Sequence, residues 1–440
     1  MICYALILLC IAEYLQKRFI GAMVIFWFLL LEGFQVIPLE FLTFGFFSGS
    51  SIDAALLCFL ALFVLRVSYW VKQTSIARSV QIAIVVFLVM LLLNTLYGYL
   101  SGYALIDIFR GARLYLFLGS FLMFVEMSLA DTLKILKILI IITFFQSILF
   151  LLQVVLGVSL LQGPVSLLME EDNYIRFYNL PKLLDFSLLI TLFWFPFDLS
   201  KKLRYLFIVV FILTMIAPLH RGYLVAWFLS LILSSLYFNN YFEKVKYVTV
   251  MAILAAVVLS IGLVRNRIYE AILQFSILAD VFSGNVIYES NTFIYRINHL
   301  MERIDLVNMR TLGWLFGIGL VDDHAPQAAN LPLNYGLPDP ITGQIIKVYT
   351  PDLVWSMLIL TMGYIGAILY LNIFVNILYR YAKLPADVRL KKVLFTLIFI
   401  AIFTSFTGVF LLQPYFFLPC LILLVIISKE GSNALVNKVY

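Results

Sequence analysis

Charge is scarce in this sequence. Asp, Glu, Lys and Arg make up 12% of its 440 residues, whereas hydrophobic residues make up 64%. A soluble domain carries about 25% charged residues, so the composition excludes an ordinary soluble globule. The chain has repeated apolar runs long enough to cross a bilayer as helices, about 20 residues each. Membrane barrel strands would instead be short and alternating. We therefore expect an all-α polytopic membrane protein.

Cysteine and nucleotide-binding motifs are also scarce or missing. The four cysteines lie in apolar segments without C-x-x-C or metal-ligand spacing, so they are expected to be small buried core residues: Cys3, Cys10, Cys58 and Cys420. The absence of a P-loop argues against an ATP-driven pump. The first segment has no basic leader or small-residue cleavage site, so no cleavable signal peptide is expected. The net charge of +6 is spread over short loops, which does not indicate a nucleic-acid partner.

What the chain has in abundance is apolar segments. Up to thirteen are predicted to be membrane helices, over roughly 2–16, 19–37, 52–71, 77–98, 105–125, 135–156, 183–197, 204–219, 221–238, 247–264, 352–378, 391–411 and 414–428. The first is short and contains Glu13, so it is either a span or a partial span. The expected total is therefore twelve or thirteen.

Lys and Arg predict the orientation of these spans. Most of the 30 basic residues fall on every second connection, and such connections face the cytoplasm. The largest of the other, outward connections is 265–351. The predicted organisation is therefore ten spans in 1–264, a large extracytoplasmic loop with an amphipathic helix in 265–351, and three spans in 352–440.

The stretch "PLHRG" (218–222) interrupts an apolar run at a predicted outward turn. Arg221 would lie at the outer end of a span, where positive charge is normally avoided. It could simply anchor a helix end by snorkelling. Because boundary arginines usually face a cavity or a partner, we favour binding to an anion at membrane depth. A lipid-linked diphosphate fits, since the guanidinium fork matches phosphate oxygens. His220 is expected to cap the turn.

The outward loop contains "NTFIYRINHLMERIDLVNMR" (291–310), which is predicted to form an amphipathic helix. Its apolar stripe consists of Ile297, Leu300, Met301 and Ile304. On the opposite face, four basic or histidine side chains share a narrow sector: Arg296, His299, Arg303 and Arg310. This face is either a solvated polar surface or a substrate-binding surface. His299 could act there as a base or as a hydrogen-bond donor to a phosphate.

Three motifs carry a family resemblance. Arg296 is followed by "LGWLFGIGLVDDH" (312–324) and then by "YTPDLVWSMLILTMGYIGAILY" (349–370). This order resembles the O-antigen polymerase and O-antigen ligase superfamily. "PLHRGYLVAWFLSL" (218–231) resembles that family's Arg-Gly or Arg-Thr turn. "DIFRGARLYLFLG" (107–119) is similar to an Arg-bearing earlier span. The local match covers about 207–370.

The resemblance implies a membrane glycosyltransferase of the GT-C type in a bacterial plasma (inner) membrane. Its substrates would be undecaprenyl-diphosphate-linked sugars, or lipid A core as the acceptor of a ligase. In the family, two arginines bind the diphosphate, and their positions here are Arg221 and Arg296. Tyr223 is expected to contact substrate beside them. Arginines can supply the positive charge, so neither metal nor cofactor is required. A flippase and a chain-length regulator are the expected partner proteins.

The sequence departs from the ligase pattern, which has His-Asn before the span after the loop. Here that position holds Thr350, Pro351 and Asp352, which favours a polymerase. His324 and Asp352 are the catalytic candidates for a base, and Asp352 could instead cap its helix. Further candidates are Asp322 and Asp323.

Three other arginines are candidates for contact with substrate. Arg110 and Arg113 share one predicted span and could contact the second lipid phosphate or form structural pairs with Asp107 and Glu126. Arg176 is a candidate of the same kind.

Three functions remain open from the sequence. A polymerase of surface polysaccharide repeat units is favoured, and a ligase of finished chains is the alternative within the same fold. A flippase or transporter of lipid-linked oligosaccharide would need ionisable residues along a path through the membrane. The predicted charges cluster instead at the outer end. The Pro- and Gly-containing segment 325–350 is expected to form an ordered flap that closes over the sugars.

Overall fold

The computed structural model describes most of the chain. The described residues are 2–44, 50–73, 76–163, 167–169, 174–238, 244–245, 249, 265, 269, 292–323, 325–338, 345–350, 353–384 and 386–439. Helices dominate these residues, and the strands within them form two short hairpins. The apolar composition and the helical content together confirm the expected all-α membrane protein.

Ten helices lie in the first half of the described chain. They are α1 (Ile2–Leu15), α2 (Phe19–Leu30), α3 (Ser51–Gln73), α4 (Arg78–Leu100), α5 (Leu105–Leu116), α6 (Leu122–Val125), α7 (Leu129–Leu156), α8 (Leu184–Phe193), α9 (Lys201–Ile216) and α10 (Arg221–Phe238). Short 3-10 turns occupy Gly33–Gln35, Leu39–Leu42 and Phe117–Gly119. The antiparallel strands β1 (Leu167–Met169) and β2 (Tyr174–Arg176) lie between α7 and α8.

The second half begins with the described part of the predicted outer loop. It contains α11 (Thr292–Asn308), α12 (Gly313–Phe316), α13 (Pro326–Ala329) and the antiparallel strands β3 (Leu337–Pro338) and β4 (Ile345–Ile346). It continues with α14 (Val354–Ala382), α15 (Val388–Thr404), a 3-10 turn (Phe410–Leu412) and α16 (Pro414–Val439).

Among the described residues, five helical stretches are long and apolar enough to cross a membrane. They are Ser51–Gln73, Arg78–Leu100, Leu105–Val125, Leu129–Leu156 and Val354–Ala382. Helix α1 has 14 residues, so it extends only about 21 Å, less than a hydrocarbon core of about 30 Å. This length agrees with the partial span that its sequence allowed. The predicted span 247–264 lies almost wholly outside the described residues.

The core is apolar and includes all four cysteines as buried free thiols, as predicted. Helix α16 is enclosed, since every residue from Phe416 to Ile427 outside Pro419 belongs to the buried hydrophobic core. Helix α15 packs along α8 and α10, and α14 packs along α4 and α11. These pairings bring the loop helix α11 into contact with the bundle.

Helix α14 is interrupted at Gly363, whose φ is +68°. The Phe-Gly-Ile-Gly turn at 316–319 fills the interruption. The backbone N–H of Ile318 donates to the carbonyl of Leu360 at 2.7 Å. The side-chain amide of Asn94 donates to the carbonyls of Thr361 and Phe316 at 3.1 and 3.2 Å. The freed backbone acceptors of the broken helix are therefore satisfied by a loop and by α4.

Glycine is required at this crossing. Gly317 has φ +61°, and a Cβ placed there would lie 2.1 Å from the Leu360 carbonyl oxygen. No larger residue fits without moving one of the two backbones. The turn fixes where the chain between α11 and α14 contacts the bundle, and it thereby positions the site described next.

Candidate functional site at one end of the bundle

The start of α10 contains the Arg-Gly pair. Leu219 has a left-handed φ of +53°, and His220 Nδ1 accepts a hydrogen bond from the Tyr223 backbone N–H at 3.1 Å. This bond caps the helix and confirms the role predicted for His220. Arg221 is the first helical residue. A Cβ on Gly222 would lie 3.0 Å from Thr407 Oγ1, so the helix begins against the segment after α15.

That segment also meets the start of α14. The Ser405 hydroxyl accepts a hydrogen bond from Trp355 Nε1 at 2.9 Å, and the Ser405 carbonyl accepts one from the Val354 N–H at 3.4 Å. The next residue, Ser356, is 2.9 Å from His299 Nδ1. Continuous contacts therefore connect the start of α10 with the polar face of α11.

His299 is held on both sides of its ring. Nδ1 bonds to Ser356, and Nε2 lies 3.0 Å from Thr350 Oγ1. The residue is 2% exposed, and burial, with a smaller contribution from the Arg303 charge, lowers its pKa to about 3. A neutral ring with both nitrogens engaged fits a structural link better than a proton acceptor. The predicted binding role of His299 stays a prediction.

Arg303 is fully buried, and its guanidinium donates to the protein itself. Nη2 donates to the carbonyls of Tyr335 and Lys347 at 2.5 and 2.8 Å, and Nη1 donates to Glu302 at 2.9 Å. Burial lowers its pKa to about 10, which keeps it charged at neutral pH. In this arrangement Arg303 fastens the following loop to α11. Contact with a substrate phosphate would require some of these bonds to open.

Two carboxylates order the loop that was predicted to form a flap. Glu302 accepts hydrogen bonds from the backbone N–H groups of Asn334 and Tyr335 at 2.5 and 3.1 Å. Asp323 accepts three backbone bonds, at 2.6 to 2.8 Å, from Lys347, Val348 and Tyr349. Burial raises the pKa of Asp323, and the three N–H donors oppose that rise. The described parts of 325–350 are therefore ordered, as expected, and Asp323 serves as their anchor.

The arginines of α5 reach the same end. Arg110 pairs with Asp107 at 3.3 Å, as predicted, whereas Arg113 pairs with buried Asp53 at 3.4 Å and not with Glu126. The side chains of both arginines are about one quarter exposed, at 25% and 23%. The Tyr349 hydroxyl donates to the Gly111 carbonyl at 2.8 Å. The loop ordered by Asp323 therefore lies directly on the Arg-bearing helix.

Tyr223 is hydrogen-bonded to a carboxylate, Asp185, that was not predicted as a site residue from the sequence. Its hydroxyl donates a short hydrogen bond to Asp185 Oδ1, in the first turn of α8. Trp227 Nε1 donates to the same oxygen at 2.7 Å. Tyr223 is buried, and its ring stacks on Phe410 with centroids 6.0 Å apart. The signal in the sequence was a single Asp within the apolar run "LLDFSLLI" (183–190).

A small cleft opens beside Asp185. Its lining residues come from α8 and the segment before it, from α15, from the 3-10 turn before α16, and from the start of α16: Lys182, Asp185, Phe186, Leu397, Phe410, Tyr415 and Phe416. The Lys182 ammonium pairs with Glu32 at 2.5 Å and lies 5.5 Å from the centroid of the Tyr415 ring. The cleft therefore combines one carboxylate, one cation and aromatic walls.

Arg296 and Arg310 are the remaining arginines predicted for the polar face of α11. Arg296 is half-buried on α11, one turn before His299. Helix α11 ends at Asn308, so the prediction that Arg310 shares its polar face is wrong. Arg310 instead lies in a turn in which its N–H donates to Val307 and its carbonyl accepts from Gly313, at 3.2 and 3.0 Å. A Cβ on Gly313 would clash with the Val307 carbonyl, which makes this tight turn specific to glycine.

Four predicted positions are described partly or not at all. His324 and Asp352 lie outside the described residues, and the side chains of Arg176 and Arg221 are not described. The backbone of Arg176 pairs with Leu167 across the first hairpin. Within the described part of the chain, no group of three His, Cys, Asp or Glu side chains could hold a metal ion.

Comparison with known proteins adds no assignment. No family model matches the chain, and no curated protein matches its sequence.

Proposed function

We propose that this protein is a membrane glycosyltransferase that polymerises surface polysaccharide repeat units of the O-antigen type. The growing glycan would be transferred from undecaprenyl diphosphate to a lipid-linked repeat unit on the outer face of a bacterial plasma membrane. One observation carries the proposal: the Arg-Gly start of α10 and the Arg296 face of α11 are joined by continuous contacts through Ser405 and Ser356. These contacts support a common site for the two positions that would correspond to the family's diphosphate-binding arginines.

The proposed architecture extends the helical membrane bundle. It has twelve or thirteen spans in a GT-C-like arrangement, with 265–351 on the extracytoplasmic side. The concentration of Lys and Arg in every second connection supports this orientation. The hydrogen bonds of α11 to the ordered loop, and of that loop to α5, support a single extracytoplasmic site.

The proposed reaction is a displacement at the anomeric carbon of the donor sugar. A hydroxyl of the acceptor attacks this carbon, and the diphosphate leaves with growing negative charge. Arg221 and Arg296 would stabilise that charge, and one preorganised donor of this kind contributes about 3 kcal/mol to lowering a barrier. We propose a metal-independent reaction because two guanidinium groups can neutralise a diphosphate.

The test is reconstitution of the purified protein in liposomes with undecaprenyl-diphosphate-linked repeat units. The expected product is a ladder of longer lipid-linked glycans. Arg221→Ala is expected to lower the rate about 100-fold, and Arg221→Lys less, because Lys keeps the charge but loses the fork. Arg389→Ala is the matched control, since Arg389 is an exposed arginine paired only with Asp387 among the described residues.

Gene deletion separates the alternatives. Loss of the ladder with single repeat units still reaching the surface supports the polymerase. Polymer that accumulates on lipid in the membrane would indicate a ligase instead. Single lipid-linked repeats retained on the cytoplasmic side would indicate a flippase, and the reading of the arginines as a diphosphate clamp would then be wrong.

A further inference from the structure

Asp185 is bound by its neighbours through one oxygen only. The Tyr223 hydroxyl and Trp227 Nε1 both donate to Oδ1, and within the described residues no donor reaches Oδ2. Both donors are neutral groups one helical turn apart on α10. A neutral acceptor such as an Asn side-chain carbonyl could satisfy both of them. The negative charge is therefore more than the packing requires.

Keeping a carboxylate in an apolar helix has a cost. Desolvation disfavours the charged form, and ionisable residues within membrane segments are rare for that reason. Asp185 nevertheless remains half-buried rather than sealed, because it lines the cleft with Lys182 and Tyr415. The cleft has room for about one water-sized group, which suits a single hydroxyl. Its aromatic walls, Phe410 and Tyr415, are typical of small-molecule sites.

The cleft lies beside the proposed diphosphate clamp. Tyr223, which holds Asp185, is two residues after Arg221 in the first turn of α10. Its N–H donates to His220 Nδ1, so the residue before Arg221 is hydrogen-bonded to the residue that holds Asp185. A sugar on a diphosphate held at the start of α10 would therefore lie close to the residues that hold Asp185.

We infer that Asp185 Oδ2 receives the hydroxyl of the acceptor sugar and takes its proton during transfer. This inference rests on the proposed function and names a group that the family resemblance does not supply. The O–H proton moves to Oδ2 while the hydroxyl oxygen bonds to the anomeric carbon of the donor. The bond from that carbon to the diphosphate oxygen breaks, and its electron pair stays on the diphosphate. Asp185 later releases the proton to water.

Tyr223 and Trp227 are positioning residues in this account. Their bonds to Oδ1 hold the carboxylate in place and leave Oδ2 without a donor among the described residues. Lys182, Glu32, Tyr223 and Tyr415 are the other ionisable side chains described around the cleft. Since Lys182 is already paired with Glu32, Asp185 is the carboxylate left to accept a proton there.

Asp185→Asn is the decisive variant because it keeps shape and can still accept both hydrogen bonds. We expect kcat for glycan transfer to fall about 100-fold or more, as for loss of a general base, with KM for the acceptor changed less than about threefold. The wild-type rate should decline in acid, and the residual rate of the variant should not. Asp198→Asn, at an exposed position after α8, is the matched control and should behave as wild type.

Binding is measured separately from chemistry. Addition of undecaprenyl diphosphate should raise the melting temperature of the wild type and of Asp185→Asn equally. Should Asp185→Asn not fold, Tyr223→Phe provides the second variant, with an expected loss of about tenfold in kcat and an unchanged ligand-induced shift.

The outcomes separate two failures. If the wild type transfers glycan and Asp185→Asn, or in its place Tyr223→Phe, does so at the same kcat, the role of Asp185 is overturned while the proposed function survives. If the wild type transfers no glycan from lipid-linked donors, both are overturned.

Discussion

Two half-buried carboxylates of this protein are held in opposite ways. Glu126 follows α6 and has donors on both oxygens: Arg66 on Oε1 at 2.7 Å, and Trp70 and Tyr14 on Oε2 at 3.2 and 3.4 Å. Asp185 carries both of its donors on a single oxygen. In the first arrangement both oxygens have donors, whereas in the second Oδ2 has no donor among the described residues, and Asp185 lines a cleft.

The surroundings of Glu126 extend this contrast. Lys429 on α16 donates to the carbonyls of Phe124 and Met127 at 3.1 and 2.5 Å. The Glu126 cluster is formed by Glu126, Arg66, Trp70, Tyr14 and Lys429. Its hydrogen bonds between protein groups therefore join α1, α3, α6 and α16. Charge is thus used for assembly in the Glu126 cluster, whereas the role proposed for the charge of Asp185 is chemical. Selective loss of stability or of activity can test this division.

The largest effect on stability is expected at Gly317, where the Phe-Gly-Ile-Gly turn packs against the interruption of α14. Gly317→Ala should lower the free energy of unfolding by about 3 kcal/mol or more, because a left-handed backbone and a clash with the Leu360 carbonyl add up. Gly102→Ala is the control, since Gly102 has φ +86° but nothing within 4 Å. It should cost only about 1 kcal/mol. Equal losses of unfolding free energy for the two variants, measured by denaturation in detergent, would show that Gly317 is not tightly packed against Leu360.

Breaking the Glu126 cluster should cost stability without changing chemistry. Glu126→Ala leaves Arg66 without its carboxylate and is expected to lower the free energy of unfolding by about 3 kcal/mol. The rate of transfer per folded molecule should stay at the wild-type value, the reverse of Asp185→Asn. Glu40→Ala, at an exposed position, should change stability by less than about 0.5 kcal/mol. A selective loss of rate in Glu126→Ala would break the comparison.

A smaller, pH-dependent effect is expected from His299. Its pKa is about 6.5 in the unfolded chain and about 3 when folded, so between these values the unfolded state binds more protons. Its contribution is fully present above pH 6.5 and is lost as the pH falls toward 3, at no more than about 1.4 kcal/mol per unit. The melting temperature should therefore fall less between pH 7 and pH 5 in His299→Gln than in the wild type. Parallel curves would argue against a buried neutral ring.

The sequence predicted the features that depend on local patterns. The helical membrane class follows from the apolar runs, α11 from the stripe around Ile297 and Leu300, and the cap at His220 from its position before a helix. Three of the four residues predicted for the polar face of α11 do lie on this helix, namely Arg296, His299 and Arg303. The burial of this face was not predicted, because Arg303 and Glu302 are covered by a loop that returns from 30 to 45 residues further along the chain.

Features that depend on distant pairings escaped prediction. The donors to Asp185 lie 38 and 42 residues away, so nothing beside it in the sequence announces them. The interruption at Gly363 depends on a turn about 45 residues earlier, and the periodicity of "VWSMLILTMGYIGAILY" reads as one uninterrupted helix. Arg310 was misplaced because a helical sector was extended past a glycine turn.

The interruption of α14 also has a consequence for biogenesis. A membrane helix usually completes its backbone bonds before it meets its neighbours. Helix α14 does not, since the carbonyls of Leu360 and Thr361 are satisfied by Ile318 and by Asn94 on α4. An unsatisfied backbone group in lipid costs several kcal/mol, so α14 becomes a stable membrane element only after the preceding turn and α4 have reached it. We therefore expect insertion and tertiary folding to be coupled for this segment.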